Sequence, residues 1–469
     1  MQKLVLNILQ YILKKEGVVH PLFLLFFICN ICFSQTTTSK IDQLFNFSSL
    51  PETNIIFKDK QEVIFFNNKA KFLLALFNEV EITDAFILEF EQSIKQYKNS
   101  TFSQPHLKHY YIGETQLILS LLQMKKGRQF QSGKSFIRAH QSFSENLKKY
   151  PNFKDPEIPL NFMEISASIL PKSLKWLTSW LGVKSNKEKA IGNIQKLYQS
   201  NQISELAKKQ CEALNLYLML QLNTSVLPIQ SKYKHQLTQI LSSELLLKQK
   251  QFSEAENQLN SIENPISVVY FLLGKIYFLT ENCEAEYMLN TFVEKAKTPT
   301  NTSATYFYLY QLDVLENRNS TSNYNNTIKK NSKPNFRDKR VQKDILELQS
   351  KHIIKSRILF DRGDYRGCIS FILATKNPKT ILDLYYLSNA YLELGEMDKA
   401  ISYFEMLQPK CDKTMYYTPK TALHLAQKTP NIQQAIQFLQ IINNYNNYPY
   451  QNEIEARQEL LLKKLKNKL

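Results

Sequence analysis

Residues 352–373 read HIIKSRILFDRGDYRGCISFIL, and residues 384–405 read LYYLSNAYLELGEMDKAISYFE. The two segments match at an offset of 32 residues, which relates Ser356 to Ser388, Gly363 to Gly395, Cys368 to Ala400 and Ile372 to Phe404. Each has apolar residues at helical spacing, a glycine, then a second apolar run at helical spacing. That pattern predicts two helices joined by a turn in which the glycine takes a positive φ. Ser356 and Cys368, like Ser388 and Ala400, are small residues placed where the two helices of a pair must touch. A chain built this way is a stack of helix pairs that presents a surface, which argues against a closed catalytic pocket.

The pattern resembles that of tetratricopeptide-repeat proteins, specifically so over 350–409, moderately over 236–293 and weakly elsewhere. Gly363, Cys368, Tyr391, Gly395, Ala400 and Phe404 occupy signature positions, with Leu384, Leu387, Ser388, Leu407 and Pro409 completing the second hairpin. Leu407 replaces the usual alanine, and Pro409 comes early, so the second helix is expected to be short. The resemblance implies an all-α, right-handed solenoid of helical hairpins whose concave face binds protein or peptide partners. The family's peptide-carboxylate binders need Lys and Asn one turn apart on a first helix. Here those positions hold Ile353 and Arg357, and Tyr385 and Asn389, so that ligand class is not supported.

Composition agrees with an all-α chain. Only ten glycines occur among 469 residues, too few for a protein of tight hairpins or glycine-lined phosphate loops. The earlier helices are more divergent. Helices are expected over 71–81 and 84–97, then from Pro105 to Lys126, with a turn at Gly127 and a second helix carrying Ser132, Phe136 and Ala139. The segment from Ile158 to Leu197 departs from the repeat, and Ala190, Ile194 and Leu197 line one helix. Phe252 and Ala255, and Gly274, Tyr277, Ala285 and Leu289, restore the repeat positions. A tyrosine-rich helix follows over 301–315, a weaker hairpin covers 421–442, and a basic amphipathic helix closes the sequence.

The N-terminus reads as an export signal. Lys3, Lys14 and Lys15 precede an apolar run over 18–33, and Ser34-Gln35 offers a cleavage point. The run is shorter than the ~20 residues of a spanning helix. The expected organisation is a signal peptide at 1–34, an irregular segment at 35–66, and a divergent helical region at 67–230. Repeats follow at 236–316, a basic flexible loop at 317–343, C-terminal repeats at 344–450 and a basic helix at 451–469. The expected location is the periplasm or the outer membrane.

The net charge is +17, which favours anionic surfaces or acidic proteins; in an exported chain nucleic acid is not expected. Cys211, Cys283, Cys368 and Cys411 lie too far apart for a C-x-x-C motif; they read as structural thiols, with a disulfide left open. His106 and His109 are three apart, with Glu114 further on, but no third ligand sits at suitable spacing, and no metal or cofactor is expected. His140, His235, His352 and His424 read as surface or repeat-packing residues. No G-x-S-x-G, P-loop, dinucleotide fingerprint or H-E-x-x-H occurs, and no enzyme is expected.

Two sets of residues are candidates for contact. Arg357 and Asp361, with Asn389 and Glu393, should line the inner face of the two best repeats as ligand contacts or as ion pairs with one another. Leu387 and Tyr391 should face the core. Trp176 and Trp180 lie four apart on an apolar face flanked by Lys172 and Lys175, either a membrane or partner contact or a ridge packed into the core. The leading functional reading is a non-enzymatic envelope scaffold or adaptor. The alternative is a peripheral membrane or lipid-associated protein that uses the basic surface and the Trp176/Trp180 helix.

Overall fold

The computed structural model describes residues 46, 60–77, 79–168, 186–200, 202–222, 235–296, 302–318, 350–375 and 379–466. Among them every regular element is a helix, and most successive helices pack as neighbours. In order they are α1 (Lys60–Leu76), α2 (Asp84–Asn99), α3 (Pro105–Lys125), α4 (Gln129–Lys149), α5 (Glu157–Ser168), α6 (Lys187–Gln199), α7 (Glu205–Leu222), α8 (Gln236–Lys248), α9 (Phe252–Asn260) and α10 (Ser267–Thr280). There follow α11 (Ala285–Lys295), α12 (Thr302–Glu316), α13 (Lys351–Asp361), α14 (Tyr365–Leu373), α15 (Ile381–Glu393), α16 (Met397–Leu407), α17 (Tyr417–Lys428), α18 (Ile432–Ile442) and α19 (Gln451–Lys466). The signal-peptide region, the Trp176/Trp180 segment and, beyond Asn317 and Arg318, the loop expected at 317–343 lie outside the described residues.

Two compact units divide the chain, one within Val19–Leu272 with Lys295–Thr298, the other within Leu273–Glu294 with Pro299–Leu469. The division falls inside α10 and so within the block 236–316 that the sequence reads as continuous. Part of the reason is local. The Ser267 N–H at the start of α10 donates to the buried Glu79 carboxylate at 2.6 Å, which ties that end to the first unit. An acid at a helix N-terminus also complements the helix dipole.

In the first unit α3 and α4 form a long hairpin. Pro105 opens α3, where its missing N–H costs nothing. Gly113 lies so close to the Phe143 ring that an added Cβ would fall 2.7 Å from it. The Ser120 hydroxyl donates to the Ser132 carbonyl at 2.9 Å across the same contact. Helix α1 begins at Lys60, inside the stretch read as irregular, and ends at Leu76 where the sequence suggested a helix continuing to Glu81. Phe65 and Phe66 are adjacent and both fully buried, while Glu62 and Lys69 are buried too, so a simple apolar period is absent. Phe65 stacks on Tyr111 with ring centroids 3.9 Å apart.

The second unit repeats one hairpin design. Cys368 Sγ lies 3.4 Å from the Ser356 carbonyl, and Ser388 Oγ donates to the Ala400 carbonyl at 2.7 Å. Ser356, Cys368, Ser388 and Ala400 are all fully buried. In the first unit Ser243 Oγ and the Ala255 carbonyl make the same twelve-residue link at 3.4 Å. Whereas α17 ends at Thr429 in extended backbone, across the two units six described helices are followed by a residue in the left-handed region, namely Gly127, Lys250, Glu281, Asn317, Gly363 and Gly395, with φ from 56° to 88°. At each, the next residue's N–H reaches back five positions to a carbonyl, as from Asp364 to Leu359 and from Glu396 to Tyr391, both at 2.9 Å. This is the Schellman closure of a helix C-terminus, which satisfies carbonyls that would otherwise lack donors.

Start signals match the stop signals. Ser350, Asp364, Thr380 and Asn431 each accept a backbone N–H as side-chain N-caps, and Thr380 with Asp383 forms a reciprocal capping box. Pro409 falls in a 3-10 turn over Gln408–Lys410, so α16 stops at Leu407.

Two substitutions test this register with opposite signs. Ala400→Glu places a charge in the fully buried helix contact and should cost about 3–5 kcal/mol; a melting temperature within a degree or two of wild type would refute the contact. Lys250 is exposed and holds φ at 66°, so Lys250→Gly should relieve backbone strain and stabilise by about 1 kcal/mol. A lowered melting temperature for Lys250→Gly would show that the turn depends on the lysine itself.

Candidate binding face of the C-terminal hairpins

The four polar residues expected on the inner face sit on α13 and α15, but not as four free groups. Arg357 Nε donates to Asp361 Oδ2 at 3.2 Å, and its guanidinium carbon lies 4.9 Å from the Phe307 ring centroid. Glu393 Oε2 accepts from Lys428 Nζ at 2.8 Å. Arg357 and Asp361 therefore pair with each other, whereas Glu393 pairs with a residue outside the set of four.

Asn389 corrects the expectation of a surface contact. It is 1% exposed, and its carboxamide joins three groups inside the stack. Nδ2 donates to the Tyr385 carbonyl at 2.8 Å and to Thr421 Oγ1 at 2.9 Å, while Oδ1 faces His424 Nδ1 at 3.1 Å. A buried carboxamide must satisfy both ends, and here the satisfying groups come from α15 and α17. Its role is to fix one hairpin against the next. Leu387 and Tyr391 lie buried.

Helix α17 supplies two cations that the sequence reading missed, Lys420 and Lys428, which share a stripe with the neutral His424 one turn from each. Lys420 Nζ lies 5.7 Å from the Tyr385 ring centroid and 5.8 Å from that of Tyr416. The signal was available: Ala435 follows Ala400 by 35 residues, and the same offset carries Asn389 onto His424 and Glu393 onto Lys428. Burial first, and then the nearby charges of Lys420, Arg457 and Lys428, together lower the His424 pKa to about 3.

Repeat-signature residues take packing roles. Phe404 is buried 6.0 Å from Phe438, edge to face. Burial pushes the Cys368 thiol up to about 12, and none of the four cysteines is in a disulfide. Cys283 is exposed, while Cys211 and Cys368 are buried.

The histidine pair of α3 is split between two environments. His106 packs 4.5 Å from the Phe153 ring, and His109 lies 3.7 Å from Glu145. Glu114 instead enters the core, where it pairs with the buried Lys69 and accepts from Tyr110 at 2.8 Å. Burial raises its pKa to about 7 against the pull of Lys69. Among the described residues no group of three or more His, Cys, Asp or Glu could hold a metal ion, and no helix is long and apolar enough to cross a membrane.

Comparison with family models, with curated proteins and with solved structures finds no match for this chain.

His424 gives the junction a pH dependence with a definite sign. It is neutral in the fold down to about pH 3, whereas the unfolded chain protonates it near the ordinary ~6.5. Protons therefore favour the unfolded chain between those values, and stability falls as pH drops through that window, by at most about 1.4 kcal/mol per pH unit. His106, His109 and His140, also lowered by burial, act in the same direction, while Glu114 acts oppositely between its unfolded value and about 7. Melts of wild type and His424→Gln across this range isolate the His424 part. The variant should lose less stability on acidification; equal losses would remove His424 from the account.

Proposed function

We propose that this chain is a tetratricopeptide-like solenoid that serves as a non-enzymatic scaffold or adaptor in the cell envelope, holding a protein or peptide against its inner face. The observation that carries this reading is the repeated placement of Asp361, Glu393 and Lys428. Each lies at the C-terminal end of a first helix, and each is part-exposed and held in an ion pair, with Arg357 for Asp361 and between Glu393 and Lys428 themselves. The result is a polar strip on helices whose other faces are largely apolar and buried. Exposed pairs of this kind add little to stability, so their partners can be exchanged for charged groups of a ligand at small cost. Stacked hairpins supply the rigidity that such a surface needs. The N-terminal signal pattern supports export, with the mature chain beginning near Gln35.

Photo-crosslinking amino acids at positions 361, 393 and 428 test the reading in the host envelope. Positions 370 and 405, exposed on α14 and α16, serve as outer-face controls. A discrete protein or peptide adduct is expected from the first set alone, on a chain whose N-terminal mass begins near Gln35. Adducts from the outer positions, or none from the inner ones, would move the interface or remove it.

A further inference from the structure

Helix α19 packs on α17 and α18 through one side only. Ile454 and Gln458 are buried there, and Gln458 Nε2 donates to the Leu439 carbonyl at 2.6 Å and to Asn443 Oδ1 at 2.9 Å. The opposite side is open. Leu460 is 72% exposed, the most of any large apolar side chain among the described residues. Its helical neighbours three before, three after and four after are Arg457, Lys463 and Lys464, all exposed; Lys466, also exposed, lies about 120° round the helix and reaches the same side only through its long side chain. One apolar tip is thus ringed by cations. Glu455 and Glu459 project at least about 100° round the helix from Leu460, and Glu455 accepts a hydrogen bond from Gln451 at 2.7 Å.

We propose that this face of α19 lies on an anionic membrane surface, with Leu460 entering the boundary between headgroups and acyl chains and Arg457, Lys463, Lys464 and Lys466 against lipid phosphates. The chemistry selects this occupant over others. A polyanionic polysaccharide would engage the cations but give Leu460 no gain, because that side chain would stay in water. A protein interface places its apolar anchors in a core depleted of charge, and here the anchor is surrounded by charge. Interfacial helices combine an apolar tip with flanking lysines that reach the headgroups. The net charge, +17 for the whole sequence and +15 without Lys3, Lys14, Lys15 and Glu16 of residues 1–34, adds a long-range attraction to the same surface. The proposal rests on residues of α19 alone and stands whether or not the Asp361–Glu393–Lys428 strip binds a partner.

The test uses the full chain and two kinds of vesicle, phosphatidylcholine alone and phosphatidylcholine with phosphatidylglycerol. Cosedimentation with the anionic vesicles, weakened by salt and absent with the neutral ones, is expected. The triple variant Lys463→Glu, Lys464→Glu, Lys466→Glu should bind roughly a hundredfold more weakly, from about fivefold per cation. Leu460→Ser should weaken binding about tenfold, because a side chain that enters the boundary loses its apolar transfer. All four positions are exposed, so both variants should melt with wild type; the corresponding triple Lys→Gln variant replaces the first if it does not. Failure of the wild type to bind anionic vesicles overturns the proposal, and so does retention on immobilised heparin without vesicle binding. Unchanged binding by the triple variant or by Leu460→Ser also overturns it.

Discussion

The close approach of two helices within one hairpin is the constraint on which the rest depends. It requires a small residue on each helix and a sharp reversal between them. Ser388 and Ala400 meet both demands with Gly395, and Ser356 and Cys368 do so with Gly363. Once that distance is set, large side chains flank the contact, as Phe404 does beside Phe438. Each first helix then has a face left for its neighbours, and the polar junctions form there: Asn389 with Thr421 and His424, and Glu393 with Lys428. The surface that we assign to a partner follows from hairpin geometry and not from a separately built pocket.

The reversal is held at a cost where glycine is missing. Lys250, Glu281 and Asn317 occupy the left-handed region, which disfavours residues with a Cβ by roughly 1–2 kcal/mol. Glu281 has compensation in view: its carboxylate pairs with Lys355 and accepts from Arg362 at 2.6 Å, so the strained turn is tied to α13. Arg318, one residue beyond Asn317, forms a two-bond contact with Glu286 at 2.8 and 2.9 Å and also meets Asp313 at 3.1 Å. Charge at these turns therefore links one hairpin to another in the second unit.

Much of this was legible in the sequence, and the parts that were not have physical reasons. The glycine turns at 127, 363 and 395 and the small pairs at twelve-residue spacing could be read directly, because few residues tolerate those positions. The non-glycine turns hid for the converse reason: Lys250 and Glu281 look like ordinary helix formers, and only an offset from Ser243 or Gly274 exposes them. Helix α1 hid because Phe65 and Phe66 are buried side by side and Lys69 is buried with Glu114, which erases a one-faced pattern. Asn389 was misplaced because a polar residue on a first helix looks like surface until its three partners appear, two of them on a helix more than 30 residues away. Trp176 and Trp180 lie outside the described residues.

The register of the hairpins is the central claim, and Cys368 allows it to be measured with one substitution. Its sulfur lies 3.4 Å from the Ser356 carbonyl, in a contact between helices that admits only small side chains. In Ser356→Cys, refolding under an oxidant should join residues 356 and 368 as the hairpin closes, and peptide mass mapping should find that bridge at the loss of two thiols. Disulfides need Cα atoms within about 7 Å, so the bridge reports the approach of the helices directly. Persistence of both thiols, or pairing of residue 356 with Cys283 or Cys411 instead, would contradict the register and the repeat stack built on it.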